Sequence, residues 1–256
     1  MYQWSKEIEV GEVIARKAGE IAMRYWNRGI VAETKADLSP VTVADKECEA
    51  AIAKALEEAF PEDGLLGEEG SAKSSRNGRR WIIDPIDGTR DFVRGNRAWA
   101  TLIGLEADGE VVAGVSSFPA SGEVFTAAKG AGAFCDGEPI RASAILDVSE
   151  AVLCLNGFNA VRRYGFSSSL IEWMEPFWAV RSLGGCLDAM MVSRGQADLW
   201  IEISGKAWDF APLKIIAEEA GAKFFNFDGG SSIYGGNCVI CAPGMERVAR
   251  QFVAVK

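Results

Sequence analysis

The run Trp81-Ile82-Ile83-Asp84-Pro85-Ile86-Asp87-Gly88-Thr89-Arg90 carries an apolar strand into two carboxylates three residues apart, followed at once by Gly-Thr. Carboxylates at a strand end, together with a backbone carbonyl such as that of Ile86, are hard oxygen ligands of the type Mg²⁺ takes. Gly88 lets the backbone approach a ligand closely, and a short helix opened by Thr89 would offer N–H groups as a phosphate cradle. A plain turn is the competing reading, because Asp-Pro and Asp-Gly also occur in turns for local reasons.

Working outward, further acids stand in glycine-rich or apolar settings. Gly67-Glu68-Glu69 lies upstream and Ala207-Trp208-Asp209 downstream, and this company favours a cation site over a turn. Asp45 carries two readings, since Thr42-x-x-Asp45 also has the form of a helix-capping arrangement. Asp209, just before Phe210-Ala211-Pro212, is a ligand or a plain N-cap.

The composition narrows the chemistry. The chain has 256 residues, 48% of them hydrophobic, enough to bury a substantial core. Its formal charge of −9 argues against nucleic acid and anionic membrane as partners. No histidine is present, which removes Ser-His-Asp and Cys-His triads and histidine-held zinc. Catalysis is left to carboxylates, hydroxyls, Lys/Arg and hard metal ions. The N-terminus is charged where a signal peptide needs an apolar stretch, and no run approaches the roughly 18 apolar residues of a membrane span, so a cytoplasmic location is expected. The six cysteines read as free thiols of a reducing compartment, with Cys238-Val-Ile-Cys241 a buried strand rather than a redox or zinc pair.

Apolar residues at helical spacing predict a helix from Ser5 to about Arg28 and a second from about Thr42 to Ala59, ended by Pro61. Ser71 to Gly78, small, polar and basic, reads as a mobile surface loop able to close over a site. Asp108-Gly109, Ser121-Gly122 and Asp136-Gly137 mark hairpin turns of an antiparallel sheet. Beyond about Glu150, strands at Val152 to Leu155, Ala179 to Arg181, Leu199 to Ile201 and Lys223 to Phe227 alternate with helices near Gly185 to Arg194 and Asp209 to Gly221. The expectation is an α/β chain with an N-terminal α+β lobe over 1–145 and a C-terminal α/β lobe over 146–256, joined by a soft boundary. Arg79-Arg80 and Arg162-Arg163 read as solvated surface, and the eight tryptophans as core or subunit contacts.

Taken in order, Ser39-Pro40-Val41-Thr42-Val43-Ala44-Asp45, Gly67-Glu68-Glu69, Asp84-Pro85-Ile86-Asp87-Gly88-Thr89, Trp208-Asp209 and Glu218-Glu219-Ala220-Gly221 resemble the inositol monophosphatase family of lithium-sensitive, metal-dependent phosphatases. The resemblance implies the layered α-β-α-β-α sandwich of the inositol monophosphatase and fructose-1,6-bisphosphatase type, a homodimer, and two or three Mg²⁺ ions, with Mn²⁺ as an alternative. It implies metal ligation by Glu68, Asp84, the carbonyl of Ile86, Asp87 and Asp209, with Asp45 at a further, weaker site. Thr89, Asp45 and Glu68 would prepare the attacking water. Asp87, Gly88, Thr89, Gly184, Gly185, Cys186, Glu202 and Asp209 would line the substrate, and Lys35 would stand near its phosphate.

The implied reaction is hydrolysis of a small soluble alcohol phosphate. Arg90-Asp91-Phe92-Val93-Arg94-Gly95 with Trp99-Ala100-Thr101-Leu102-Ile103 looks like histidinol-phosphate phosphatases. Leu183-Gly184-Gly185-Cys186-Leu187-Asp188 looks more like a general inositol phosphatase, since glycine stands at 185 where the former tend to carry an aspartate. The balance leans to inositol 1-phosphate, with histidinol phosphate as the alternative and fructose 1,6-bisphosphate and 3′-phosphoadenosine 5′-phosphate behind them. Two readings of other classes are a regulatory binding partner, which the intact acid set disfavours, and a two-metal nuclease, which the negative charge disfavours.

Overall fold

The computed structural model describes residues 3–26, 33–34 and 40–254. The chain opens with α1 (Ser5–Trp26), a short pair β1 (Glu33–Thr34) and β2 (Pro40–Val41), and α2 (Val43–Ala59). Next come β3 (Gly64–Gly67), β4 (Ala72–Lys73), β5 (Arg79–Asp87) and the brief α3 (Thr89–Val93). A meander follows: β6 (Ala100–Ala107), β7 (Glu110–Phe118), β8 (Glu123–Ala128), β9 (Gly132–Cys135) and β10 (Glu138–Pro139). The rest is β11 (Val152–Asn156), α4 (Leu170–Met174), β12 (Ala179–Arg181), α5 (Gly185–Ser193), β13 (Leu199–Glu202), α6 (Ala207–Glu219), β14 (Lys223–Phe225), β15 (Cys238–Cys241) and α7 (Glu246–Val253).

Besides the β1-β2 pair, the described strands form an eight-stranded sheet in the order β10-β9-β8-β7-β6-β5-β3-β4 and a five-stranded sheet in the order β12-β11-β13-β15-β14. The first is antiparallel except where β3 runs parallel to β5. In the second, β11 is parallel to both β12 and β13. The expected turns form: Ala107 pairs with Glu110 and Cys135 with Glu138, and Asp108, Gly109, Asp136 and Gly137 all adopt positive φ, as tight primed turns require.

Burial patterns stack these pieces into layers. Ile14, Ala15, Ala18 and Ala22 of α1 and Cys48, Ile52 and Leu56 of α2 cover one face of the large sheet, against Trp81, Ile83, Ile103 and Val115. Its other face presents Ile82, Leu102 and Phe125 to α5 and α6, which also meet Cys154, Trp200 and Ile240 of the small sheet. The outer face of the small sheet, Leu153, Leu155, Val239 and Cys241, is closed by Phe166, Met245, Ala249 and Phe252. The order is therefore α-β-α-β-α, and burying each large apolar side chain stabilises it by about 1.5–3 kcal/mol. The five-stranded sheet includes the expected buried Cys238–Cys241 strand, and all six cysteines are free. Among the described residues no helix is long and apolar enough to cross a membrane.

Three expectations need correction. Ser71 to Gly78 is anchored: Ala72–Lys73 pairs with β3, Arg76 N–H donates to Glu62 O at 2.9 Å, and Asn77 Nδ2 donates to Asp63 Oδ1 at 2.7 Å. Polarity alone hid the backbone partner that β3 supplies. Arg79 and Arg80 are half-buried ion-pair centres, Arg79 within 2.9 Å of Glu7 and 3.0 Å of Asp63, Arg80 within 2.7 Å of Glu106. The last interior helix starts at Ala207, so Asp209 is its third residue and not its N-cap. The terminal helix α7 went unpredicted. Lys35 lies outside the described residues.

Candidate active site

Asp84 and Asp87 would point to opposite faces of a regular strand, because side chains alternate with period two. The strand is not regular there. Asp84 pairs with Leu102 and Asp87 with Ala100, so three residues of β5 advance against two of β6. Pro85, which has no N–H to give, sits in this bulge, and its carbonyl accepts from Thr101 Oγ1 at 2.9 Å. The irregularity brings both carboxylates to one cleft. Asp209, from the first turn of α6, joins them, and ligand oxygens of the three acids lie within 4.8 Å of one another.

Gly88 turns the chain from β5 into α3 with φ of +83°, and a Cβ there would lie 2.7 Å from Ala98 O, so the position requires glycine. The Thr89 hydroxyl donates to Ile86 O at 3.2 Å and to Asp45 Oδ1 at 3.4 Å. Asp45 serves as the cap of α2 and also reaches Thr89. Its Oδ2 accepts from Thr42 N–H at 2.7 Å and from the Thr42 hydroxyl at 2.6 Å, closing the capping box of α2, and its Oδ1 turns to Thr89. Asp209 behaves alike, its Oδ2 accepting from Lys206 N–H at 2.7 Å.

The cleft has a volume of about 460 Å³ and is lined by Glu68, Asp84, Ile86, Asp87, Gly88, Thr89, Gly185, Cys186, Glu202 and Asp209 among the expected residues. Asp45 stands behind Thr89 and outside the lining. Gly184 also lies outside it: it caps α5 and backs onto Ala98, where a Cβ would meet the Ala98 Cβ at 2.7 Å. Further lining comes from Arg90, Gly157, Phe158, Asn159, Trp200, Ser204 and Lys206, which sequence reasoning missed. Strand ends were the signal. Ligands of open α/β sheets bind beyond the carboxyl ends of parallel strands. Glu68 follows β3, Gly157 follows β11, Glu202 ends β13 and Gly185 comes soon after β12.

Burial is the main electrostatic fact of the cleft. It pushes Asp84 well above the usual carboxylate range, with Glu68, Asp87 and Asp209 adding repulsion. Asp87 is pushed up to about 6 by burial, opposed by the hydrogen bond from the Cys186 thiol. Asp209 rises to about 7, through burial and then Asp87. Glu202 rises to about 8, again through burial first, against the N–H of Ser204. The first turns of α5 and α6 also border the cleft, and their positive dipole ends favour anions. A set of acids, Asp84 buried and Asp87 and Asp209 half-buried, that offers only hard oxygens fits a divalent cation such as Mg²⁺, whose charge would offset the repulsion.

Known proteins converge on the same picture. The sequence pattern of the inositol monophosphatase family matches residues 3–256. A histidinol-phosphatase of Chlorobaculum parvum is 35% identical over 92% of each chain. An inositol-1-monophosphatase of Rhizobium meliloti is 32% identical over 94% of this chain and 90% of its own. The crystal structure of the extragenic suppressor protein SuhB from Bartonella henselae superposes with a TM-score of 0.90 at 27% identity, covering 97% of this chain and 98% of that one.

Proposed function

The chain belongs to the inositol monophosphatase family and is a phosphatase, and we propose that it hydrolyses histidinol phosphate with the help of a divalent cation, Mg²⁺ by preference and Mn²⁺ as an alternative. The observation that carries the substrate is Glu202. Its carboxyl is half-buried in the cleft wall with Asp87 and Asp209 among the charges around it. An alcohol phosphate with an ammonium group would neutralise that wall, where a polyol would only hydrogen-bond to it. The 35% identity to a histidinol-phosphatase supports the same choice.

Inositol 1-phosphate is the second reading, favoured by Gly185. That position offers no carboxylate to a cationic substrate, and a Cβ there would already approach Glu202 Oε2 to 3.4 Å. Assaying phosphate release from the two compounds side by side separates the readings. A preference of a hundredfold for inositol 1-phosphate would reverse the assignment.

Asp84, Asp87, Asp209 and Glu68, with the Ile86 carbonyl, would hold the cation. When bound, it supplies a Lewis acid for the phosphoryl and leaving oxygens. The protein's own groups do the rest. Thr89 Oγ1 takes a hydrogen bond from the attacking water and passes its proton toward Asp45, the base behind it. Backbone N–H groups at Gly88 and Thr89 orient the phosphate, and Arg90 and Lys206 add positive charge to an acidic cleft. Gly185, Cys186 and Glu202 face the alcohol portion. Lithium sensitivity, a homodimer and a cytoplasmic location complete the reading. The exposed Trp178 and Leu183 flanking the edge strand β12 support the dimer, which sedimentation tests, and six free thiols support the compartment.

A further inference from the structure

Glu49 is a carboxylate that the reaction as described does not use, yet it is only 2% exposed. It lies one helical turn beyond Asp45 on α2, so both acids share a face of the helix. Among the described residues it has no Lys or Arg partner within ion-pair distance. Its two oxygens go instead to one backbone turn. Oε2 accepts from Glu69 N–H at 2.7 Å and Oε1 from Ser71 N–H at 2.7 Å. Both bonds are short and charge-assisted, the stronger class of protein hydrogen bond.

The turn so clamped is the one that carries Glu68. Gly67 N–H donates to Ser71 O at 2.8 Å, and Glu68 N–H donates to Ile83 O at 3.1 Å. The fit is close on the other side too. A Cβ at Gly67 would lie 2.5 Å from the Glu49 carboxyl carbon, so the carboxylate can reach over the turn only because residue 67 has no side chain. Glu68 is thus fixed before, at and after its own backbone. Helix α2 meanwhile presents Asp45 to Thr89 from the same face.

We propose that Glu49 is a positioning residue of the active site: it locks the turn from Gly67 to Ser71 to α2, so that Glu68 is held ready for the cation while Asp45 is held ready for Thr89. The proposal rests on the reading of Glu68 as a cation ligand. A buried salt-bridge role is excluded by the absence of a basic partner among the described residues, and a helix-capping role by the position of Glu49 in the second turn of α2. Groups that orient metal ligands typically change affinity or activity by about 10–100-fold when altered.

The test uses substrate-free protein and two readouts: calorimetric titration with Mg²⁺ and amide hydrogen exchange. In Glu49→Gln the amide group must turn an NH₂ toward one of the two N–H donors, so one bond is lost with little change of volume. Expected are Mg²⁺ binding weaker by about 10–100-fold, faster exchange at Glu69 and Ser71, and unchanged protection in β6 and β7. Gly67→Ala keeps every charge but displaces the carboxylate, and should reproduce the same pattern. The double variant should be no worse than the weaker single one. Wild-type Mg²⁺ affinity in Glu49→Gln, with faster exchange at Glu69 and Ser71, would overturn the proposal. So would weakened binding accompanied by lost protection throughout the sheet, with Gly67→Ala binding normally. Wild-type protein that binds no divalent cation would overturn the reading of Glu68 first and this proposal with it, whatever the exchange pattern.

Discussion

The Thr89 hydroxyl and the Asp45 carboxylate meet at 3.4 Å across the junction of two helix N-termini, one opening α3 and the other α2. In the proposed mechanism this pair would serve as a proton path that needs no histidine. Thr89→Ala should lower kcat by about 100-fold, within the usual range for a positioned acid-base group, while Thr89→Ser keeps most activity. Steady-state kinetics at saturating Mg²⁺ checks this, and a Thr89→Ala enzyme within threefold of wild type would remove Thr89 from the mechanism.

Metal-free protein should lose stability as pH rises. Asp87, Asp209 and Glu202 are raised to about 6, 7 and 8, well above the roughly 4 of a free carboxyl. Between those limits the folded state binds more protons than the unfolded one, so the stability present at pH 4 declines through pH 8. Melting curves in EDTA at pH 5 and pH 8.5 should show the lower Tm at the higher pH. Mg²⁺ should flatten the difference, and a Tm that rises with pH would contradict the assignment.

Gly157 and Glu202 stand against each other in the cleft wall proposed to face the alcohol. Gly157 has φ of +78°, and a Cβ there would stand 2.8 Å from Glu202 Oε1. Gly157→Ala should therefore raise KM several-fold through strain and crowding. Glu202→Gln, which keeps the volume and removes the charge, should cost histidinol phosphate about tenfold or more in kcat/KM, as loss of a charged hydrogen bond does. Turnover of a small aryl phosphate, which places no ammonium there, should change little. Equal losses on both substrates would argue against charge recognition.

Arg79 should matter for folding and not for chemistry. It bridges Glu7 of α1 and Asp63, while Trp81 Nε1 also donates to Asp63 at 2.9 Å. Arg79→Ala leaves two largely buried acids unpaired, at a cost of about 3 kcal/mol. Denaturant unfolding should show the loss, with Mg²⁺ affinity of the folded fraction unchanged.

Much of this was legible in the sequence, and the parts that were not share a physical cause. Asp84 and Asp87 were readable because their acids end an apolar run, and Asp108-Gly109 because a primed turn demands positive φ. The bulge that aims both acids into one cleft depends on the partner strand β6 and so could not be read from β5 alone. Arg79 reads as surface when only its neighbours in the chain are visible, since Glu7 and Asp63 arrive from elsewhere. Glu49 looks like any acid on an amphipathic helix. Its role arises where α2 meets the turn after β3, a contact no local pattern encodes. The Gly157 and Ser204 walls needed the strand order of the small sheet.

The most direct test of the central claim is phosphate release from histidinol phosphate by the purified protein, with Mg²⁺ and with EDTA, beside Asp84→Asn. Release that requires Mg²⁺, returns when EDTA is titrated out, and falls at least a thousandfold in Asp84→Asn, on the order of the electrostatic contributions of such sites, is the predicted result. Release that persists in EDTA, or survives in Asp84→Asn, would contradict a cation held by the buried acids.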